Sequence, residues 1–208
     1  MKRTNDTMWT HKMVLALSLG LFAVLALLLP ADDMLGLEQN IFETIYNWPI
    51  GLLGIMTLLT EFGGVWMALS ATAILLISKL YKLVAKLVVT IVLGHLSVVL
   101  FKSLIQRFRP EEILSWVIDR QPGNLDFGFP SGHVMAATVF AILICRGVAG
   151  RLQYFVMALW IITVGLSRVY LGAHSPLDVV GGFLIGLSAV LIVDLLQGLP
   201  AKRKKHKL

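Results

Sequence analysis

Six long apolar runs, separated by short polar segments, set the pattern of this sequence. A helix needs about 20 residues to cross a bilayer, at ~1.5 Å per residue, and these runs have 14 to 21 residues. The pattern therefore predicts an all-α membrane protein, a bundle of six transmembrane helices. The predicted spans are residues 13–29, 65–80, 83–103, 131–144, 152–171 and 176–196. The start of the second span stays open, because residues 50–77 also suit one long tilted helix.

An acidic stretch at residues 30–48 has a different pattern. Its apolar side chains Leu37, Ile41, Ile45 and Trp48 recur close to the repeat of a helix. A helix with an apolar stripe and a polar remainder suits the boundary between water and lipid. We therefore expect a short interfacial helix after the first span.

Composition narrows the class of protein. The chain of 208 residues has a mean hydropathy of +0.82, and 14% of its residues are charged, against roughly 25% in a soluble domain. The net charge of +6 is divided among short segments between the apolar runs, which is typical of a membrane protein and not of a nucleic-acid binder. A single cysteine, Cys145, excludes an internal disulfide and a multi-cysteine metal site. We expect one membrane domain over residues 1–208.

Basic residues are unevenly divided between the two sides that six spans would define. Most of the 18 Lys and Arg residues fall in the N-terminal segment, near residues 79–86, near residues 146–151 and in the tail 202–208. The positive-inside rule then places both termini, and this basic tail, in the cytoplasm. We interpret the chain as a protein of a bacterial inner or plasma membrane, with the 106–129 loop facing the periplasm or exterior.

Three clusters of polar residues stand at the predicted outer ends of the spans. Each has a plain structural explanation, because basic side chains reach for lipid headgroups and Ser or Asp can cap a helix. Headgroup anchoring alone does not explain why two histidines, three cations and a helix N-terminus fall on the same side of the membrane. The clusters are Lys102 with Arg109, then Ser131, Gly132 and His133, then Arg168, His174 and Asp178.

The cations and the helix start suit a phosphate group. Phosphoryl transfer spreads charge over three equatorial oxygens, which fixed cations and backbone amides stabilise. Lys102, Arg109 and Arg168 supply the cations, and the first amides near residues 131–133 supply donors. The clusters together predict a phosphate-binding site at the outer membrane surface.

The two histidines suit the chemistry of transfer. We interpret His174 as the nucleophile and His133 as the general acid that later activates water. Asp178 would accept a hydrogen bond from His174 and fix its tautomer. Asp178 also stands third in a helix that Ser175 would cap, and the two roles are compatible.

These motifs resemble the three-part signature of the type 2 phosphatidic acid phosphatase (PAP2) superfamily, across residues 102–186. The signature positions are Lys102 with Arg109-Pro110, Pro130-Ser131-Gly132-His133, and Ser167-Arg168 with His174 and Asp178. The resemblance implies a six-helix membrane phosphatase that needs neither metal nor cofactor. It implies the same nucleophile, carboxylate partner and acid–base residue, with Lys102, Arg109, Ser131, Gly132 and Arg168 around the phosphate.

The residues themselves also favour a reaction without metal. Asp178 is the only carboxylate inside the three motifs, whereas a Mg²⁺ site usually uses one or two carboxylates together with the phosphates. The loop carboxylates Glu111, Glu112 and Asp126 leave a metal site open as an alternative.

Several functions agree with these motifs. The first is an outward-facing phosphatase of lipid phosphates or diphosphates, with undecaprenyl diphosphate as the leading substrate. The alternatives within the class are a phosphatidic acid, lysophosphatidic acid or phosphatidylglycerophosphate phosphatase and a lipid phosphotransferase. An alternative of another class is a non-catalytic binder or transporter of lipid phosphate. The bilayer is the expected partner, and the sequence leaves the oligomeric state open.

Four further features have structural interpretations. We expect His95 to form a hydrogen bond between helices, and Asp194 to pair with a basic neighbour or face the interface. Glu61 is expected to have a structural role. Gly182 and Gly186 form a G-x-x-x-G face that predicts close helix packing within the monomer.

Overall fold

The computed structural model describes residues 2–122, 126–145 and 152–198. Within those ranges the regular secondary structure is helical throughout, as the apolar runs predict. The predicted basic turn at 146–151 and the basic tail 202–208 lie outside the described residues. The helices are α1 (Lys2–Leu28), α2 (Gly36–Tyr46), α3 (Leu53–Glu61), α4 (Val65–Ile77), α5 (Tyr81–Ile105), α6 (Pro110–Ile113), α7 (Gly132–Cys145), α8 (Leu152–Tyr170) and α9 (Pro176–Leu196), with a 3-10 turn at Ile50–Leu52.

Four helices of the described chain are long and apolar enough to cross a membrane: α1, α5, α8 and α9. Helices α3 and α4 pass the same test as a pair, bent by 44° at the break between them. The predicted second span is therefore part of a broken element and not one long tilted helix. Helix α7 has 14 residues, about 21 Å, against a hydrocarbon core of about 30 Å. Four to five spans are therefore supported, and a sixth is not confirmed.

Helix α7 lies at the centre of the bundle, between α5, α8 and α9. Two glycines of α9 allow the closest of these contacts. A Cβ at Gly182 would lie 2.3 Å from the carbonyl oxygen of Ser131, and one at Gly186 would lie 2.6 Å from that of Met135. The predicted packing role of the G-x-x-x-G face inside the monomer is therefore confirmed, and it brings the start of α9 against the start of α7.

Helix α2 is the short helix that the acidic stretch predicts. Two side chains of the predicted apolar stripe, Leu37 and Ile41, are exposed. The third, Ile45, packs against the buried cluster of Phe42 and Tyr46, and Trp48 follows the end of the helix. The adjoining face of the helix is buried and contains Phe42, Tyr46 and the carboxylate of Glu38. Because α2 packs against α8 and α9, this acidic side chain lies inside the protein, which the sequence pattern did not indicate.

Ionisable residues away from the predicted site have contrasting environments. Asp194 is buried, accepts a hydrogen bond from Lys86 and lies 3.9 Å from His11. Its predicted pairing with a basic neighbour is confirmed, and the pair joins α5 to α9.

The prediction for His95 is wrong, because its side chain is exposed on α5 and forms no interhelical hydrogen bond among the described residues.

Candidate active site

Lys102 and Arg109 are brought together by the abrupt end of α5. Gln106 has a left-handed backbone, with φ of 53°, and its N–H donates to the carbonyl of Lys102. The chain then reverses, and Arg109 directly precedes Pro110, the first residue of α6. Lys102 and Arg109 are both buried, so two cations lie side by side beneath the 106–129 loop. We call this segment the outer loop after the side of the membrane that the sequence predicts for it.

A loop carboxylate bridges these two cations. Lys102 Nζ donates to Asp126 Oδ2 at 2.8 Å, and Arg109 Nη2 donates to Asp126 Oδ1. Burial alone would raise the pKa of Asp126, but the hydrogen bonds and charges of Lys102 and Arg109 outweigh it and lower that pKa to about 2. The Asp126 side chain is still 59% exposed, so an anionic group from solvent can reach the same place.

Ser131 and His133 lie at the start of α7. The Ser131 carbonyl accepts the N–H of Met135, and the Ser131 N–H donates to the Asp178 carbonyl at 3.0 Å. The backbone of α7 is therefore tied to the start of α9. The link between α3 and α4 crosses close by, because a Cβ at Gly63 would lie 2.6 Å from the carbonyl oxygen of His133. Gly132 begins the helix, so free amides of its first turn point toward this end of the bundle.

Arg168 and His174 are joined by the turn between α8 and α9. The carbonyl of Arg168 accepts the N–H groups of Ala173 and His174, and Gly172 turns the chain with φ of 76°. The guanidinium of Arg168 is buried and donates to Thr60 Oγ1 and Gln121 Oε1. Arg168 therefore connects α8 with α3 and with the outer loop.

His174 lies beside Asp178 but is not hydrogen-bonded to it. The distance from His174 Nδ1 to Asp178 Oδ2 is 3.5 Å, and Nδ1 has no hydrogen-bond partner. The expected hydrogen bond is thus absent in this state, although apo sites often have longer contacts than the reacting complex. Burial, and then the charges of Arg109 and Arg168, hold the pKa of His174 well below its usual value. The imidazole is therefore neutral near pH 7, as a nucleophile must be.

Asp178 has the predicted capping role as well. Its Oδ2 accepts the N–H of Ser175 at 2.8 Å, and Ser175 Oγ accepts the N–H of Asp178 in return. This reciprocal pair is a capping box at the start of α9. Asp178 is therefore both a helix cap and the carboxylate next to His174.

All eight predicted site residues lie at one end of the bundle. Arg109 Nη1 donates to the carbonyl of Ala173, next to His174, at 2.7 Å, and Lys102 shares Asp126 with Arg109. The charges of Lys102, Arg109 and Arg168 lower the pKa of His174. Ser131 and Gly132 belong to the same helix start as His133, and Asp178 adjoins His174. Four helices and two loops thus place these groups around one small region, as the three motifs predict.

Unpartnered polar atoms coincide with this region. Side chains of five described residues have a buried polar atom without a hydrogen bond, and three of them are Ser131, Arg168 and His174. Buried polar groups in proteins are nearly always paired. The free Oγ of Ser131 and Nε of Arg168 are both donors, so an anion placed here would satisfy them.

Sequence reasoning missed three residues that touch the site: Glu38, Arg107 and Asp126. Arg107 and Glu38 are buried charges that contact each other and the Asp178 region. The sequence distinguishes Asp126 only as one of several loop carboxylates. The sequence does not predict that Arg107 is buried, because an arginine in a loop is usually exposed to solvent.

Comparison with known proteins agrees with this geometry. The chain is 30% identical to an undecaprenyl-diphosphatase of Sulfolobus acidocaldarius over 80% of this chain and 82% of that protein. It is 37% identical to phosphatidylglycerophosphatase B of Bacillus subtilis, over 39% of this chain and 43% of the relative. The fold matches the crystal structure of a transmembrane PAP2-type phosphatidylglycerolphosphate phosphatase from Bacillus subtilis with a TM-score of 0.69, at 23% identity, over 95% of this chain and 98% of that one.

The profile of the PAP2 superfamily matches residues 83–198, which contain all eight predicted site residues and more than half of the chain. This match and the undecaprenyl-diphosphatase relative agree with the membrane helices and with the order of the three motifs. The chain is a member of the PAP2 superfamily.

Proposed function

We propose that this protein removes the terminal phosphate from a lipid phosphate or diphosphate at the outer face of the membrane, through a phosphohistidine intermediate. The leading substrate is undecaprenyl diphosphate, which would yield undecaprenyl phosphate and inorganic phosphate. The observation that carries the proposal is the meeting of two histidines and three cations, from separate helices, at one end of the bundle.

The first step forms a phosphorus–nitrogen bond. Because His174 Nδ1 faces Asp178, Nε2 is the nitrogen that attacks phosphorus. The bond from phosphorus to the leaving oxygen breaks, and His133 gives a proton to that oxygen. His133 takes up this proton when the substrate binds, because the bound phosphate offsets the charges of Arg168, Lys102 and Arg109 that act on its ring. Asp178 stabilises the charge that develops on the His174 ring.

The second step regenerates the enzyme. His133, now neutral, takes a proton from water while the water oxygen attacks phosphorus. The phosphorus–nitrogen bond breaks, its electron pair returns to His174, and inorganic phosphate leaves. Both histidines end in their starting protonation states.

The cations hold the phosphate through both steps. Lys102 and Arg109 are bridged by Asp126 in the free protein, so an incoming phosphate exchanges with that carboxylate. The unpartnered donors of Ser131 and Arg168 complete its coordination, with the amides around Gly132. Hydrogen bonds to charged groups contribute about 1.5–3 kcal/mol each, and those that strengthen as charge develops accelerate the reaction.

Two lipid classes are supported by relatives. The undecaprenyl-diphosphatase relative matches over most of both chains, which favours a polyprenyl diphosphate. The phosphatidylglycerophosphatase B relative has higher identity over a shorter segment, which favours a glycerophospholipid monophosphate. We rank the polyprenyl diphosphate first because that match extends beyond the motif region.

A phosphate-release panel tests this function. Purified protein in detergent is given undecaprenyl diphosphate, undecaprenyl phosphate, phosphatidylglycerophosphate and phosphatidic acid, with His174→Ala as control. We expect release from a lipid diphosphate by the parent and none by His174→Ala. Release without any added lipid hydroxyl separates a phosphatase from a phosphotransferase. If the parent binds lipid phosphate as His174→Ala does and releases nothing, the chain is a binder and the proposal fails.

Metal independence and orientation belong to the same proposal. Among the described residues no group of three His, Cys, Asp or Glu side chains is placed to hold a metal ion. We expect excess chelator to leave phosphate release unchanged, and loss of turnover that Mg²⁺ restores would contradict this. We also expect reporter fusions to place both termini in the cytoplasm, with six spans in total.

A further inference from the structure

Arg107 is a fully buried arginine whose charged end is enclosed by protein groups. Its Nη1 donates to Asp178 Oδ1 at 3.0 Å and to Ser175 Oγ at 2.8 Å. Nη1 and Nη2 also donate to the two oxygens of Glu38, at 3.0 and 2.8 Å. The carbonyls of Pro30 and Asp33 accept further bonds from the same side chain. One guanidinium thus joins α2 and the chain before it to the start of α9.

Glu38 completes the network from the other side. Besides its two contacts with Arg107, its Oε1 accepts from Ser175 Oγ at 2.6 Å and from the N–H of Leu177 at 3.1 Å. A carboxylate at the N-terminus of a helix is also favoured by the helix dipole. Glu38 therefore holds the first turn of α9, although it belongs to a distant surface helix.

This network determines which oxygen of Asp178 faces His174. Arg107 contacts Oδ1, whereas Oδ2 accepts from the Ser175 N–H and lies 3.5 Å from His174 Nδ1. With Oδ1 held by Arg107, the carboxylate cannot rotate without losing a charged hydrogen bond. The carboxylate that would orient His174 in the reacting complex is itself held by Arg107.

A buried ion pair of this kind does not stabilise a fold more than well-packed apolar residues would, because both charges lose their hydration. Stability therefore does not account for one guanidinium and two carboxylates in the interior next to the nucleophile. In many active sites, residues packed behind the reacting side chains hold those side chains in position. Arg107 and Glu38 occupy such a place behind Asp178.

We propose that Arg107 and Glu38 are positioning residues of the reaction: Arg107 fixes the Asp178 carboxylate against His174, and Glu38 holds Arg107 and the start of α9. This inference rests on the proposed function, in which His174 attacks phosphorus. It gives helix α2 a place in the catalytic assembly, although none of the signature residues lies on α2. Both residues act through Asp178 and touch no substrate atom.

The charges of the network act on His174 in opposite directions. The groups that face this imidazole are Asp178 from α9, Arg168 from α8, Lys102 and Arg109 from α5 and its following loop, and His133 from α7. Loss of the Glu38 charge leaves Arg107 less neutralised and lowers the pKa of His174. Loss of the Arg107 charge leaves Asp178 less neutralised and raises it.

A double-mutant cycle tests the inference. Glu38→Gln, Asp178→Asn and the double variant are compared with the parent by phosphate release in detergent. We expect Glu38→Gln to lower kcat about tenfold or more with KM changed less than threefold, since no substrate contact is lost. In the Asp178→Asn background the same change is expected to cost less than threefold, because its effect passes through Asp178. Equal fold-losses in both backgrounds would overturn the proposal.

The second readout is the acid limb of the kcat/KM profile. We expect Glu38→Gln to move it to lower pH and Arg107→Gln to move it to higher pH, by about half a unit each. Arg107→Lys, which keeps the charge, is expected to restore the parent position. Shifts of the same sign, or no shift, would contradict the positioning role. Should Arg107→Gln fail to fold, Glu38→Gln alone still decides, because a neutral Gln keeps the shape of the side chain.

A matched control is Arg120→Gln. Arg120 belongs to the same outer loop and lies over the Tyr46 and Tyr170 rings, away from Asp178. We expect this variant to change thermal stability without moving the acid limb. An inactive parent would refute the proposed function, whereas an active parent with additive variants would refute only the positioning role.

Discussion

Asp126 provides the sharpest prediction about the phosphate site. Its carboxylate takes hydrogen bonds from both Lys102 and Arg109, so it competes with the phosphate of the substrate. Asp126→Asn keeps the shape of the side chain and removes the charge. We expect the variant to bind phosphate more tightly than the parent, because the exchange no longer breaks two charged contacts.

The magnitude follows from the environment of the carboxylate. The pKa of Asp126 falls from 3.8 to about 2, which would correspond to roughly 2.5 kcal/mol for a group removed from water. The side chain is 59% exposed, and solvent screening reduces this to about 1 kcal/mol. Such a difference is a factor of about five in a binding constant. A lowered pKa stabilises the fold above pH 3.8, and this contribution is lost as the pH falls through about 2.

The assay is inhibition of lipid hydrolysis by inorganic phosphate between pH 6 and 8, where Asp126 is ionised throughout. We expect the inhibition constant of Asp126→Asn to be about fivefold lower than that of the parent, with a small loss of thermal stability. Glu111→Gln is the matched control. Glu111 belongs to the same outer loop, and among the described residues its side chain accepts a single long hydrogen bond, from the backbone N–H of Asp119. An unchanged or raised inhibition constant in Asp126→Asn would refute the reasoning.

Three further predictions concern packing, buried charge and pH. Gly182→Ala places a methyl group 2.3 Å from the backbone at the start of α7, so we expect lower thermal stability and lost activity, whereas Gly20→Ala, with open space around it, should match the parent. Lys86→Met removes the cation that donates to buried Asp194, whereas His11 stays 3.9 Å away. We expect the loss of this charged hydrogen bond to lower the free energy of unfolding by about 1.5–3 kcal/mol, and equal stability would contradict the pairing. The pKa of His174 is held well below its usual value. We therefore expect the fall in kcat/KM that follows protonation of His174 to occur below pH about 6.5, and a fall that begins above pH 7 would contradict this.

The helices and the meeting of the motifs could be predicted because each depends on local pattern. Apolar runs of bilayer length predict spans, and α1, α5, α8 and α9 satisfy that test. The capping box of Ser175 and Asp178 lies within four consecutive residues, so the sequence alone predicts it. Three ordered motifs also fix which helix ends meet, since residues of one phosphate site must lie together.

Contacts between distant segments could not be predicted in the same way. Glu38 and Arg107 are 69 positions apart in the sequence, and Arg107 and Asp178 are 71 apart. The residues next to Glu38 and Arg107 in the sequence favour side chains that are exposed to solvent. Only the packing of α2 on α9 shows that they are buried, and only the fold of the outer loop brings Asp126 to the cations.

The exact arrangement of side chains within a motif could not be predicted from the sequence either. The spacing of His174 and Asp178 predicts that they are neighbours, but not that Arg107 holds the carboxylate with Nδ1 3.5 Å away. Likewise, the predicted fourth span, residues 131–144, and helix α7 have the same length of 14 residues. The sequence predicted the helix, but only the fold shows that it lies between α5, α8 and α9 and begins at the buried site.

The central claim is that His174 carries the phosphoryl group. The direct measurement uses lipid diphosphate labelled in its terminal phosphate, a rapid alkaline quench during turnover, and peptide mapping of the labelled protein. We predict a base-stable, acid-labile phosphohistidine at His174 in the parent, and no label in His174→Ala. Label in an acid-stable ester, or label that persists in His174→Ala, would contradict the account.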